Sequence, residues 1–264
     1  MVRLSSPRRQ RLGTLEGQHV ERPLPSPANA LVLLAIARRM IPRDITTLSW
    51  PPRQRVLVLA PHPDDFDSVG VTMRFFHQRG DLIRVAVLSG SASGVLDSFC
   101  APADKAAVRE QEQRDSIAFF GLSDDVLTFL RLPEDAHGDP IEAPQVIQHL
   151  LDTVQPDLVV LPHYHDTNTG HRRAHAMFRK CSRLPALLFR DPKTLDFRCD
   201  LYTPFDETTA QWKRKLLLHH RSQEHRNRQL RGHGFDDRIL DVNRRTAQEL
   251  SCAAPYAEAF QWEK

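Results

Sequence analysis

A histidine and two aspartates, His62, Asp64 and Asp65, lie within four positions of one another, directly after an apolar run. Imidazole nitrogen and carboxylate oxygen are both good ligands for Zn²⁺, at about 2.0–2.2 Å. Two adjacent aspartate side chains cannot point the same way, so one can bind a cation while its neighbour stays free to move a proton. One aspartate could instead cap the following helix, but capping would not explain the histidine and the second aspartate. The cluster therefore predicts a metal-assisted hydrolytic site.

A second polar cluster lies in residues 163–175. A catalytic zinc usually takes three protein ligands and leaves one position for water, so a histidine from this cluster is expected to complete the site. Its candidate residues are His163, His165, Asp166, Asn168, His171, Arg172, Arg173 and His175. His175, one helical turn after His171, would share its face of a helix, but its position inside the helix favours a solvent-facing or supporting role. The pattern alone leaves the third ligand open.

Both clusters follow apolar runs that alternate with segments of helical period, which is typical of βαβ units around a parallel sheet. Strands are predicted at residues 56–60, 83–88, 126–130, 157–161 and 186–189. Helices are predicted at residues 68–78, 101–120, 143–154, 171–181, 206–231 and 236–253. We therefore expect an α/β fold with a Rossmann-like, mostly parallel sheet and helices on both faces, in three layers. Ligands of such sheets bind beyond the carboxyl ends of the strands, where both clusters lie.

The composition excludes several classes of protein. With 264 residues, 41% apolar and 26% charged, the chain can bury one substantial core. Its four cysteines are scattered, which argues against a sulfur-ligated zinc knuckle or a disulfide framework and favours a reducing, cytoplasmic location. The apolar run at residues 30–36 is far shorter than the roughly 20 residues of a membrane span, so none is expected. The first strand lacks the Gly-x-Gly-x-x-Gly turn of dinucleotide-binding domains, so no organic cofactor is expected.

Charge is distributed unevenly along the chain. Residues 1–55 hold ten Arg against three acidic residues, and residues 213–231 hold seven basic residues against one acidic residue. We expect an Arg/Pro-rich, partly disordered leader at residues 1–50, which could form a short helix at residues 31–40, and a single domain at residues 51–264. A nucleic-acid or polyanion-binding protein that uses this leader is one alternative. Nucleic acid is disfavoured as a partner because no aromatic residues interleave the arginines and the net charge is only +3.

The residues of the first cluster resemble the signature of a known family. Ala60–Asp65 reads Ala-Pro-His-Pro-Asp-Asp, and the PIG-L/LmbE-like zinc-dependent de-N-acetylases carry Ala-His-Pro-Asp-Asp-Glu in this place. Pro61 is an insertion, and Phe66 stands where the family has Glu. Further segments extend the resemblance to about residues 56–260. They are the frame of Asp166, Asn168, Gly170, His171 and Arg172, the pair Arg109 and Glu112, the stretch Lys215–Gln223 with His220, and Tyr256–Phe260.

This resemblance implies a hydrolase that removes the N-acetyl group from an N-acetylated amino sugar, of the N-acetylglucosamine type, or from its conjugate, and releases acetate. It implies that His62, Asp65 and His171 hold Zn²⁺, with Fe²⁺ or Co²⁺ as alternatives for two histidines and a carboxylate. Asp64 is then the general base and acid. The partner would be a small-molecule amino-sugar substrate, and the oligomeric state stays open.

At two positions, Phe66 and Asn168, the sequence departs from the family, and both departures affect which residues are predicted to be catalytic. Asn168 stands three positions before His171, where the family has a histidine that helps to stabilise the oxyanion, and His165 or His220 could take that role instead. Because Phe66 and Asn168 both break the pattern, a catalytically inactive metal-binding scaffold of the same fold is a further alternative. The predicted catalytic residues are accordingly Asp64, His165 and Asn168.

Overall fold

The structure, a computed structural model, describes residues 41–264. The helix predicted at residues 31–40, like most of the predicted leader, lies outside the described residues. Within the described part, Ile45, Leu48 and Trp50 are buried in the main core. The packed chain therefore includes residues that precede the predicted boundary at residue 51.

A central sheet of eight strands organises the described chain, in the order β1-β7-β8-β6-β5-β2-β3-β4. The strand β8 runs antiparallel to β6 and β7, and the remaining pairs are parallel. The strands are β1 Arg43–Asp44, β2 Arg55–Ala60, β3 Leu82–Val87, β4 Leu127–Phe129, β5 Leu158–Pro162, β6 Ala186–Phe189, β7 Leu201–Phe205 and β8 Tyr256–Glu263.

Helices cover both faces of this sheet. On β2, Val56, Val58 and Ala60 belong to one core cluster, whereas Leu57 and Leu59 belong to another. Successive side chains of a strand point to opposite faces, so each cluster lies under its own helical layer, and the predicted mostly parallel α/β fold is confirmed. The helices are α1 Asp65–Ser68, α2 Gly70–Gln78, α3 Lys105–Phe120, α4 Pro144–Val154, α5 Thr169–Cys181, α6 Glu207–Leu217, α7 Arg221–Arg231 and α8 Phe235–Glu249. None of the described helices is long and apolar enough to span a membrane.

The C-terminal part differs from the sequence prediction. The helix predicted at residues 206–231 is two helices, α6 and α7, separated at residues 218–220. This break turns His220 into the interior, where its ring contacts Asp67. The strands β7 and β8 were not predicted, because buried polar residues such as Thr203 and Glu258 interrupt their apolar pattern.

The two polar clusters lie at neighbouring strand ends. The parallel strands β2 and β5 are hydrogen-bonded to each other, and each cluster follows the carboxyl end of its strand. From this pair the strand order proceeds to β3 on one side and to β6 on the other. Such a switch point in a parallel sheet is the place where a crevice for ligands opens.

Candidate metal site and its cleft

Three buried side chains named from the sequence, His62, Asp65 and His171, meet at these strand ends. Asp65 Oδ1 lies 3.4 Å from His171 Nε2, and Asp65 Oδ2 lies 3.3 Å from His62 Nδ1. Each residue offers one ligand atom, and these atoms all lie within 4.8 Å of one another. A tetrahedral ion with bonds of about 2.1 Å has donor–donor edges of about 3.4 Å. The donor set therefore fits a small divalent cation.

A second carboxylate lies beside the other ring nitrogen of His171. Asp166 Oδ2 lies 3.2 Å from His171 Nδ1, on the side of the ring opposite to Asp65. Carboxylates that hold the second nitrogen of a metal-binding histidine fix its tautomer and direction. Asp191, just after β6, also brings a ligand atom within 4.8 Å of those of Asp166 and His171. The sequence analysis missed Asp191, although its place after the strand next to β5 is a usable signal.

The charges in this cluster are strongly coupled. Burial would raise the pKa of Asp65, but the imidazoles of His171 and His62 hold that pKa well below its usual range. Burial would lower the pKa of His171, but Asp65 and Asp166 raise it to about 10. Burial also raises the pKa of Asp191. The cluster thus stabilises positive charge at its centre, where an incoming cation must displace the proton of His171.

Asp64 lies at the surface of the same cleft and is clamped by Arg109. Arg109 Nη2 donates to Asp64 Oδ2 at 2.7 Å and to the carbonyl oxygen of Pro63 at 2.6 Å, and Nη1 donates to the carbonyl oxygen of Ser91 at 3.3 Å. The backbone of Asp64 has φ +150°, a conformation that costs energy for a residue with a Cβ. The buried guanidinium of Arg109 thus holds a strained turn in place and directs the carboxylate into the cleft.

The N-terminus of α5 positions both histidines of the site. Asn168 caps this helix by accepting a hydrogen bond from the backbone N–H of Gly170 at 2.9 Å. A Cβ at Gly170 would lie 2.7 Å from His62 Nε2. Only glycine therefore lets the helix that carries His171 approach the ring of His62 this closely.

Behind the site, a buried network supports α1. Asp67 is fully buried, and its Oδ2 accepts hydrogen bonds from Gln113 and Ser116 at 3.2 Å each and contacts His220 Nε2. Burial would lower the pKa of His220, but the charge of Asp67 raises it. Phe66 packs instead in the core against Phe120. The side chain at the position where the family has Glu therefore faces the core, and the next residue, Asp67, faces the buried polar network.

The other residues predicted from the sequence do not all line the cleft. Asn168 lines the cleft. The ring of His165 is about half exposed, lies 3.6 Å from Asp196 and does not line the cleft. His175 hydrogen-bonds Glu263 at 2.9 Å, and His163 hydrogen-bonds Gln261 at 3.1 Å. The interior of the cleft is thus reached by Asn168 and not by His165 or His220.

The lining of this cleft is also basic. Besides Arg109, four cationic side chains line it, together with polar and apolar residues from α7 and α8. They are Lys193, Arg226, Arg231 and Arg238. Carboxylates, imidazoles and cationic groups of both kinds are therefore present in one cleft.

The comparisons with known proteins concern both sequence and fold. The model of the family GlcNAc-PI de-N-acetylase, PIG-L, matches residues 57–182. No protein of curated function matches the chain in sequence.

Solved structures share the fold at low sequence identity. The N,N'-diacetylchitobiose deacetylase from Pyrococcus horikoshii is 17% identical, with 79% of this chain and 83% of that chain covered and a TM-score of 0.65. The A40926 pseudoaglycone deacetylase Dbv21 is 18% identical over 80% and 97% of the two chains, with a TM-score of 0.64. GalB, the 4-carboxy-2-hydroxymuconate hydratase from Pseudomonas putida, is 17% identical over 79% and 95%, with a TM-score of 0.61. One fold thus accommodates both deacetylases and a hydratase.

Proposed function

We propose that this protein is a metal-dependent hydrolase of N-acetylated amino sugars or their conjugates. The match of residues 57–182 to the model of the PIG-L family of de-N-acetylases supports this proposal. It would release acetate and a free amine from an N-acetylglucosamine-type substrate. The observation that carries the proposal is the meeting of buried His62, Asp65 and His171 beside the carboxylate of Asp64 in one cleft.

His62, Asp65 and His171 would hold the ion. Two imidazoles and one carboxylate suit Zn²⁺, and Fe²⁺ or Co²⁺ are alternatives for the same donors. A bound Zn²⁺ would lower the pKa of a water molecule from 15.7 to about 7 and polarise the acetamide carbonyl. Asp166 supports this assignment because it keeps the ligating nitrogen of His171 directed at Asp65.

Asp64 would move the proton. Its Oδ2 accepts from Arg109, and its Oδ1 has no hydrogen-bond partner among the described residues, so this oxygen is free to accept a proton from water. The same carboxyl group would then return the proton to the departing amine. Arg109 keeps the carboxylate in place through both steps, since it is tied to the backbone as well.

Asn168 would stabilise the oxyanion. Its side-chain oxygen accepts the capping hydrogen bond from Gly170, which leaves its NH₂ group free to donate. Preorganised donors of this kind stabilise the tetrahedral species of acyl transfer. His165 and His220 were the other predicted candidates. The ring of His165 contacts Asp196 outside the cleft, and buried His220 contacts Asp67 and does not line the cleft. The assignment therefore favours Asn168.

The likeness to a hydratase means that the fold alone does not determine the reaction. A metal analysis combined with a free-amine assay on acetylated glucosamine derivatives tests ligand set and reaction together. We expect about one ion per chain, amine release that a chelator abolishes, and recovery on addition of Zn²⁺. Bound metal without amine release across the panel would favour the inactive scaffold. Tight, salt-dependent binding of a random oligonucleotide without metal would favour the nucleic-acid alternative.

The location of the protein also stays a prediction. The four cysteines have no disulfide partner among the described residues. From the scattered cysteine pattern of the sequence, we propose a reducing, cytoplasmic environment.

A further inference from the structure

Three arginines form one wall of the cleft that contains His62, Asp65 and His171. Arg226 and Arg231 lie on α7 and Arg238 lies on α8. We call Arg226, Arg231 and Arg238 the arginine wall. These side chains converge from two helices on a single concave surface, unlike a row of arginines along one solvated helix face.

The arginine wall has no acidic partner. Among the described residues, no carboxylate lies within ion-pairing distance of any of its three guanidinium groups. Arg231 and Arg238 each donate to Asn227 Oδ1 at 3.2 Å, so two cations share one neutral acceptor. Arg226 Nε is buried and has no hydrogen-bond partner.

Two other arginines show the contrasting, paired case. Arg109 donates to Asp64 at 2.7 Å, and Arg173 donates to Asp135 at 2.7 Å. The arginine wall lacks such a carboxylate contact.

The three cations lie close enough to affect one another. Burial and the nearby charges of Arg231 and Arg109 lower the pKa of Arg226, against the opposing charge of Asp64. Burial lowers the pKa of Arg238, and the charges of Arg231 and Arg226 add to this effect, whereas the charges of Asp191 and Asp64 oppose it. Guanidinium groups do not lose their protons in proteins, so a bound anion would offset their mutual repulsion.

We propose that the arginine wall is a subsite for an anionic group, a phosphate or a carboxylate, that the acetylated substrate carries beside its amino sugar. The proposal rests on the proposed function, since the sugar must occupy the space between the wall and the metal-binding residues. Arginine forks match phosphate and carboxylate oxygens with paired hydrogen bonds. Asn227 would release or reorient its shared contacts when the anion binds.

Charge elsewhere in the cleft helps to determine where the anion would bind. Asp64 also lines the cleft, and its carboxylate would repel an anion beside the metal-binding residues. The arginine wall would therefore hold the anionic substituent at α7 and α8, and the acetamide would be left at His62, Asp65 and His171. The wall would thus select the charge of the substrate and fix its orientation.

Matched sugars and variants test the proposal. N-acetylglucosamine would carry a neutral methyl, a carboxymethyl or a phosphate group at C1 or C6, and kcat/KM would be measured for metal-loaded wild type, Arg226→Gln, Arg238→Gln and the double variant. Arg221→Gln is the matched control, since Arg221 is exposed, lies on the same helix and does not line the cleft. The ratio of phosphate to carboxymethyl turnover identifies the anionic group.

We expect wild type to prefer at least one anionic sugar over its methyl counterpart by about tenfold or more. The arginine variants should reduce this preference by about 10- to 100-fold, as expected for losing charged hydrogen bonds. Arg221→Gln should keep the preference. An equal preference for charged and neutral sugars in wild type, or a preference that survives in the double variant, would overturn the proposal.

A binding measurement separates this proposal from the proposed function. If no sugar releases an amine, the proposed function fails, and calorimetry with inorganic phosphate still tests the subsite. Phosphate should bind wild type and Arg221→Gln alike and bind the double variant at least about tenfold more weakly. Equal phosphate binding in all three proteins would overturn the subsite. Thermal unfolding of each variant shows whether it is folded.

Discussion

Two buried charged clusters of this protein are built on opposite principles. Lys213 is fully buried, and its ammonium donates to the carbonyl oxygen of Ser68 at 2.7 Å, to Asn243 Oδ1 at 2.8 Å and to Glu258 Oε1 at 2.7 Å. An ammonium group has three donors, and all three are used here. Glu258 also accepts from the backbone N–H groups of α2. We call Lys213, Glu258 and Asn243 the closed cluster, because their polar groups bind one another and the backbone.

We call His62, Asp65 and His171 the open cluster, because all three line the cleft. Its members direct ligand atoms at one another across a space that a cation could fill, and they line a cleft. A buried charged group whose hydrogen bonds are all made within the protein holds secondary-structure elements together. Buried charged groups whose ligand atoms converge on a cleft are available to bind a ligand. The closed cluster also serves the open one, because Lys213 binds Ser68 at the end of the helix that carries Asp65.

Removal of a ligand should give the largest effect. His171→Ala should lower the metal content from about one ion per chain to near zero, because only two ligands remain. Amide hydrolysis should fall by more than the roughly 10²- to 10⁴-fold that loss of a general base costs. Metal analysis and the free-amine assay measure both changes. His175→Ala, on the same helix, is the control and should retain the ion. Unchanged metal content in His171→Ala would move the third ligand to His163, His165 or His175.

Asp64→Asn should separate proton transfer from metal binding beside the open cluster. The amide keeps the shape and the contact with Arg109, so metal content should stay near wild type. Turnover should fall by about 10²- to 10⁴-fold, the usual contribution of a general base. Metal stoichiometry and kcat are measured on the same preparation. A parallel loss of metal and turnover would contradict the proton-transfer role and point to Asp64 as a ligand.

Lys213→Met should lower the free energy of unfolding and leave the metal site of the folded protein unchanged. Removal of one partner of a buried ion pair leaves Glu258 uncompensated and costs about 3–5 kcal/mol of the free energy of unfolding. Denaturant unfolding measures this loss, and exposed Lys215→Met on the same helix should change it by less than about 0.5 kcal/mol. The folded fraction should keep its metal content. If Lys213→Met were fully stable but inactive, the division between the two clusters would be wrong.

Gly170→Ala tests whether close packing, and not only ligand identity, forms the open cluster. Alanine is favoured over glycine inside a helix by about 1 kcal/mol, but its Cβ would meet His62 Nε2 at 2.7 Å. We expect metal affinity to fall by about 10- to 100-fold, in the range seen when supporting residues of metal sites are changed. Titration with Zn²⁺ and thermal unfolding of the metal-free protein give the two readouts. Unchanged affinity would mean that the ring of His62 moves without loss.

The sequence predicted the open cluster better than the closed one, for a physical reason. His62, Asp64 and Asp65 are neighbours in the chain, and strand ends gather such loops at one edge of a parallel sheet. The sequence therefore predicted β2 to β6 and the residues that meet at their ends. The choice of His171 needed the family resemblance, since spacing alone did not distinguish it from His163, His165 or His175.

The closed cluster depends on pairings that no local pattern reveals. Lys213 and Glu258 read as solvated charges on a helix and in a C-terminal segment, and they become partners only when β8 inserts between β6 and β7. The break between α6 and α7 and the convergence of Arg226 with Arg238 arise in the same way. Long-range packing decides these contacts, so the sequence indicated basic helices but not which of their residues face the cleft.

The last effect that we predict is gradual, because it accumulates with each unit of pH. His171 must lose its proton to bind an ion, and Asp65 and Asp166 raise its pKa to about 10 against the opposing effect of burial. Below that pH, apparent metal affinity should fall about tenfold for each unit, with about one proton released per ion bound. For the metal-free protein, the raised pKa adds stability that is fully present below about pH 6.5, the ordinary histidine value, and is lost as pH rises toward 10. His171→Ala should lose this dependence, whereas Lys213→Met should keep it. Zinc titrations and unfolding curves between pH 6 and 10 measure both, and a flat profile in wild type would show that Asp65 and Asp166 do not hold a proton on His171.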